Sequence, residues 1–402
     1  MANTLEVIDY ITKETLRIGH EKATFLGTID RQYDAEFGKK GMKVGDTIRI
    51  RKPEKGTIRS GRVANVQDSE ETHTTLTVST QKGFELAFNS AEAALSLDDY
   101  IKRKIEPRMA MLISTIESEV LQGATKLVYN TVGTAGTPPA DLAAVGAARA
   151  KLNQYLAPKD GNRFVQMDSV TMGGMVNGLK GLFQDSTQIK EQYREGLIGR
   201  TGMADFYENE RTWTLTNISD VTGTTDAAAL VTDGGTTLDM HTTVASPAVG
   251  CVFTISGVYA CHPETKAPYS HLQQFTVVTT SAGAAVTISP PTYLTGGKKN
   301  VVSSSGAELA TTDFNSKTLT FWGNASTSYV QNLMYHKEFC TFATADLPLR
   351  GGADRCVRKE YDGLSLRVWE DSDIKNDEQI LRVDILYGWN VLIPEWGCRI
   401  SS

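Results

Sequence analysis

Ninety residues in the middle of the chain, from Arg211 to Asn300, hold nine charged side chains, whereas the other 312 hold 79. A shift of that size, with sequence of ordinary charge on both sides, marks an inserted domain and not a loop. Threonine is concentrated in the same stretch, in runs such as DVTGTTDAAALVTDGGTTLDMHTT. Its second half reads as strands at VFTIS (252–256), FTVV (275–278) and AVTIS (285–289), each β-branched and ended by Gly, Pro or Ser. The expectation is a small antiparallel β module spliced into a larger fold.

A second unevenness lies nearer the N-terminus. Residues 39–62 carry nine basic side chains and two acids, a local charge of +7 that leaves −13 for the remainder of a chain whose net charge is −6. Within this stretch TIRIR (47–51) alternates as a strand, and a matching TLTVS (75–79) follows after a long polar connection from about Pro53 to His73. Hairpin loops in compact domains are shorter. The segment therefore reads as a long two-stranded arm. Its two-faced polar pattern offers nothing of its own to bury, so it should need another chain to lie against.

Helix signals follow the arm. Ser96 and Asp98 suit N-caps for LDDYIKRKI, and Pro107 suits the first position of a helix over PRMAMLISTIESEVLQGATK. Ile105, Met109, Leu112, Ile116 and Val120 recur at helical spacing and predict a core-facing stripe. A further helix is expected over 140–156, then a strand at VQM (165–167) and a short helix over DSVTMGGMVNGL. The C-terminal third reads as strands at 364–369, 379–386 and 389–393, with Gly388 separating the last two. The fold class is α+β with an inserted antiparallel β module.

Chemistry is hard to find. Neither a phosphate-cradling glycine loop, a dinucleotide fingerprint, an HExxH helix nor a GxSxG elbow occurs. Cys261, His262 and His271 lack a fourth zinc ligand, so CHPETKAPYSH reads as a solvated loop. Asp371, Asp373, Asp377 and Glu378 begin like a calcium loop, but Lys375 replaces a ligand and the turn glycine is absent; a strand connection is the reading. The five cysteines are odd in number and widely spaced, which suits reduced structural thiols. No catalytic, cofactor-binding or metal site is assigned. The acidic balance disfavours a dedicated nucleic-acid binder, no run of about 18 apolar residues offers a membrane span, and Glu6 and Asp9 interrupt any secretory signal, so a cytosolic origin is expected.

Four stretches in order carry a resemblance to a known family: YREGLIGRTGMADFYENERTWTLT (193–216), GCVFTISGVYACHPETKAPYSHLQQFTVV with VTISPP (250–291), NLMYHKEFCTFATADLPL (332–349) and GLSLRVWEDSDIKNDEQILRVDILYGWNVLIPEWG (363–397). With the basic arm, long helix and β insertion, the chain resembles the major capsid (coat) proteins of tailed bacteriophages, the Hong Kong 97-type (HK97-like) fold. Within them it is similar to the short-tailed-phage coat proteins that carry an inserted β-barrel domain, although its insertion is shorter.

The resemblance implies an N-terminal arm at 1–35, an extension loop at 36–90, a peripheral domain at 91–126 and 352–402 containing the long spine helix, an axial domain at 127–216 and 300–351, and the inserted barrel at 217–299. It implies a structural, non-enzymatic subunit that assembles with itself as hexamers and pentamers into an icosahedral shell. A scaffolding protein, a portal protein at one vertex and packaged double-stranded DNA held without sequence-specific contact would be the partners, with no membrane, and the virion, assembled in the host bacterial cytoplasm, the location. Some relatives crosslink an extension-loop lysine to a neighbour's asparagine. Lys52 and Lys55 lie in the corresponding arm, but no acidic catalytic partner is assignable and a non-covalent shell is expected. The intersubunit contacts would come from Arg49, Arg51, Lys52, Lys55, Arg59 and Arg62, with Glu117, Glu119, Asp371 and Asp373 as acidic counterparts. Two other readings fit less well: the shell protein of a cellular nanocompartment, against which the phage-like insertion argues, and a phage or bacterial surface adhesion protein, which should repeat its β module.

Overall fold

The apolar stripe drives the longest helix among the described residues, Glu106–Leu127: Met109, Leu112, Ile116 and Val120 within it, and Ile105 just before it, are all buried. Each such side chain contributes about 1.5–3 kcal/mol by leaving water, more than helix propensity alone supplies. The computed structural model describes residues 23–33, 47–51, 56, 62, 73–89, 104–179, 200–201, 203–229, 231–241, 247–280, 285–349, 355–361, 364–373 and 378–402. Ser96, Asp98 and residues 97–103 of the helix they were expected to cap lie outside these residues, as do Asp377, Lys52, Lys55 and Arg59.

The chain divides into two units, the first comprising Met1–Arg51, His73–Val120 and Cys340–Leu392, the second Lys52–Thr72, Leu121–Phe339 and Ile393–Ser402. In the first, a six-stranded sheet is organised around one long strand, Glu378–Val391. One of its edges pairs with Thr80–Asn89; the other pairs first with Leu364–Asp373 and then with Cys340–Ala345. Arg355–Tyr361 and Asp30–Tyr33 complete the sheet, the latter in parallel. The two strands expected at 379–386 and 389–393 are thus one. Gly388 is no turn: it sits in register opposite Ala343, in mid-strand. A Cβ there would lie 2.2 Å from the carbonyl oxygen of Thr77, so the glycine permits a close backbone approach.

The arm is a two-stranded antiparallel sheet, Thr47–Arg51 against His73–Thr77, with Arg49 opposite Thr75 and Arg51 opposite His73. Contrary to the expectation that it buries nothing at home, Leu76 and Val78 are fully buried against Ala343, Ala345, Leu347 and Leu386, with Ile50 packed alongside. The alternation that looked polar on both faces has one apolar row at its base.

The second unit holds two seven-stranded sheets. One runs Thr131–Gly133, Gly397–Ser401, Ser328–His336, Arg163–Met167, Ala204–Glu208, Arg200–Thr201, with Trp213–Thr216 also on Ser328–His336. Helices Leu142–Gln154, capped by Asp141, and Ser169–Leu179 share its core. The other sheet is built from the charge-poor segment and runs Thr222–Thr224, Thr318–Phe321, Val252–Cys261, Pro268–Thr280, Ala285–Thr292, Gly235–Asp239. Its ends meet through a bridge between Thr225 and Met240, with Asp226 N donating to Asp239 O and His241 N to Thr224 O, so the sheet closes on itself. Phe253 packs between Phe275 and Phe321, at 5.8 and 5.4 Å between ring centres, in a core of buried side chains.

Hydrogen bonding departs from the expected boundaries in two respects. The barrel recruits Val301–Val302 and Thr318–Phe321, beyond residue 299. The C-terminal stretch is also split. Cys340–Ala345 joins the first unit's sheet and Gly397–Ser401 the second unit's, with one-turn helices at Lys337–Phe339 and Pro394–Trp396 where the chain changes sheet. Pro394 lacks the N–H that would continue the preceding ladder.

Candidate intersubunit surface

Four acids were expected to answer the basic arm, and the structure treats them differently. Glu117 is completely buried. Its carboxylate accepts from Thr24 N (3.1 Å), Thr24 Oγ1 (2.6 Å) and Phe25 N (2.9 Å), holding the start of the short helix Phe25–Thr28. It is a structural residue of its own subunit and offers no face to a neighbour, which corrects the expectation. Helical spacing already carried the signal: Glu117 stands four residues from Ile113 and from Leu121, both buried.

Glu119, two residues on, is partly exposed and forms an ion pair with Lys82. Tyr387 Oη also donates to it, at 3.0 Å, and burial beside that carboxylate pushes the Tyr387 phenol well above its ordinary range. Lys82 is 37 residues away in sequence, a separation at which no local pattern could have proposed the pair.

Asp371 is exposed and lies in register opposite Ile380, itself 43% exposed. Directly opposed residues of an antiparallel pair share a face, so the sheet presents a carboxylate beside an uncovered aliphatic side chain. Asp373 ends the same strand, opposite Glu378. On the basic side, Arg49 and Arg51 belong to the hairpin strand and Arg62 is exposed. A strand that alternates Ile and Arg has the composition to meet a surface offering both an aliphatic and an acidic group. Isoleucine 380 was not singled out from sequence, because an Ile in a strand is ordinarily core.

Elsewhere in the first unit, Asp384 is buried between two arginines, accepting from Arg367 Nη2 at 2.6 Å and from Arg382 Nε at 2.9 Å. The Asp384 carboxylate holds Arg382 charged, above its ordinary range, and Trp369 lies against both guanidinium groups. This cluster braces the strands that carry Asp371 and Ile380. Among the described residues no group of His, Cys, Asp or Glu is placed to hold a metal ion, and no helix is long and apolar enough to cross a membrane. The cysteines form no disulfide with one another.

The sequence model of the family described as P22 coat protein, gene protein 5, matches residues 2–401. No curated protein matches the chain. Among solved structures it is similar to that of Mycobacterium phage Che8 (12% identity, 94% of this chain and 90% of that one, TM-score 0.47), to the capsid of Ralstonia phage GP4 (9%, 95% and 91%, 0.46) and to the mature capsid of bacteriophage PhiM1 (10%, 94% and 86%, 0.44).

Proposed function

We propose how this chain, which belongs to the P22 coat protein family and is a major capsid protein of a tailed phage, builds its shell: the hairpin of one copy is laid across the first unit of the next. The supporting observation is the hairpin itself. Only two strands pair in it, so each has an edge without a ladder partner among the described residues, while its base is fastened to its own subunit. An unpaired edge is a template for another chain. Contacts of this head-to-tail kind close into rings, which supplies hexamers and pentamers as capsomers of an icosahedral shell.

On the receiving copy the favoured counterparts are Asp371 and Ile380, with Asp373 two residues along the same strand; Glu119, held by Lys82 and Tyr387, belongs to the other face of the sheet. Exposed ion pairs contribute about 0–1 kcal/mol each, so the charges set register and direction while apolar burial supplies affinity. The domain reading keeps 1–35 as an N-terminal arm, 36–90 as the extension loop and 217–299, together with the strands Val301–Val302 and Thr318–Phe321, as the inserted barrel that stabilises the subunit. The peripheral domain is read at 91–126 and 352–402 and the axial domain at 127–216 and, those two strands apart, 300–351. A scaffolding protein, a portal at one vertex and double-stranded DNA contacted without sequence preference complete the assembly, which takes place in the bacterial cytoplasm. The subunit does this without catalysis.

Electron microscopy of the purified chain, with and without a scaffolding partner, tests the reading. Uniform icosahedral particles are the expected result; soluble monomers under every condition would overturn it.

A further inference from the structure

We infer that Gly388 and Asn390 form a clamp that fixes the direction in which the hairpin leaves the subunit, so that two positions outside the hairpin steer assembly. The inference rests on the arm reading above. Leu386, Gly388 and Asn390 alternate along one strand and so occupy one face of the sheet, and the base of the hairpin lies on that face. Leu386 packs with Leu76 and Val78. Gly388 is a notch: an added Cβ would stand 2.2 Å from Thr77 O, 2.9 Å from Thr77 C and 2.9 Å from Val78 Cα. All three are backbone atoms, which no rotamer change can move aside. Asn390 Nδ2 then donates to Thr75 O at 2.7 Å.

These contacts fall where the hairpin strand ends at Thr77 and the sheet strand begins at Thr80, the joint about which the hairpin would otherwise swing. An apolar anchor, a backbone seated in a notch and a directed hydrogen bond, at three successive positions of one row, restrain both sliding and rotation. An angular error at the base grows with distance along the arm, so a small loosening here displaces the arm's contacts with the next copy.

The test uses the full chain with Asn390→Ala and, separately, Gly388→Ala. Hydrogen exchange is read on the unassembled subunit and particle form by electron microscopy. Asn390→Ala should raise exchange at Thr74–Val78 about tenfold, leave the strands Leu364–Asp373 and Glu378–Val391 as protected as before, and yield misshapen or mixed-size particles. Gly388→Ala should do the same more strongly; if it does not fold, Asn390→Ala decides alone. Unchanged exchange at Thr74–Val78, or normal particles despite raised exchange, would overturn the clamp. Reversal of the arm's arginines separates this from the arm reading: normal particles from that reversal together with aberrant ones from Asn390→Ala would remove the charge contacts and support the clamp.

Discussion

Arg399 Nη1 donates to the carbonyl oxygen of Gly250 across 2.6 Å, joining the strand Gly397–Ser401 to the turn that leads into the barrel strand Val252–Cys261. The same guanidinium reaches Lys126 O at 2.9 Å and Thr276 Oγ1 at 3.0 Å, and its carbon lies 5.5 Å from the centre of the Trp213 ring. It is fully buried, and none of these partners is a carboxylate. Burial lowers its pKa to about 9, which still leaves it protonated at neutral pH. Carbonyl dipoles, one of them in the last turn of the long helix, and the aromatic face take the place of a counter-ion. Gly250 belongs to the same joint. Its φ is +92° and a Cβ there would meet the Trp213 ring at 2.3 Å, so a side chain is excluded on both counts.

Arg399→Met should therefore cost about 3 kcal/mol, because the Gly250 carbonyl and the Thr276 hydroxyl oxygen lose the guanidinium donor in a buried place and Lys126 O keeps only the Thr276 hydroxyl. Arg399→Lys should recover only part of this, since one ammonium cannot span the geometry of a planar fork. Urea unfolding of the unassembled subunit measures both; an unchanged midpoint for Arg399→Met would refute the joint.

Glu117 offers a second check on a buried charge. Glu117→Gln keeps one acceptor oxygen and replaces the one that receives Thr24 N, at a cost of about 1–2 kcal/mol. Glu117→Ala orphans three donors and should cost more. Faster exchange at Phe25 is the expected local signature, with the Glu106–Leu127 helix otherwise protected.

What could be read in advance, and what could not, follows the range of the forces involved. The long helix, the β-branched barrel strands and the hairpin are set by local periodicity; the helix and hairpin match within a few residues, whereas the strand expected at 275–278 runs from Pro268 to Thr280 and takes in the end of CHPETKAPYSH, which reads as a solvated loop in sequence. Gly388 was misread as punctuation because a glycine in a turn and a glycine under a crossing backbone look alike in one dimension. Glu117 reads as an acidic counterpart of the arm only when its charge is considered apart from its spacing: Ile113 and Leu121, four residues to either side, are buried. The roles of Arg399 and the Lys82–Glu119 pair were beyond reach, since their partners come from distant strands.

His271 should make the second unit sensitive to mild acid. Its Nε2 is buried without a hydrogen-bond partner, its ring stacks on Tyr269 at 5.3 Å, and burial, reinforced by the Lys151 ammonium, lowers its pKa from 6.5 to about 4. Between those values the unfolded chain binds a proton that the folded one refuses, so stability falls as pH falls through the window. The thermal midpoint of the unassembled subunit should drop between pH 7 and pH 5, and His271→Gln should flatten that dependence. An equal slope in the variant would exclude His271 as its source.

The arm's charges make the last prediction. Arg49→Glu, Arg51→Glu and Arg59→Glu together should abolish or misdirect assembly while leaving the subunit folded. The packing at the hairpin base uses Leu76, Val78 and Ile50. Reversal turns attraction toward Asp371 and Asp373 into repulsion, and each exposed pair shifts by only about 1 kcal/mol, yet a shell multiplies the effect over every copy. The parent protein should also assemble more slowly as ionic strength rises from about 0.01 M to 0.15 M, because the screening length falls from about 30 Å to 8 Å. In the reversed variant that dependence should invert, with salt partly rescuing assembly by screening like charges. Light scattering followed by electron microscopy reads both effects. Normal particles from the triple variant, with an unaltered salt dependence, would show that the arm is held by its apolar row and backbone edges alone.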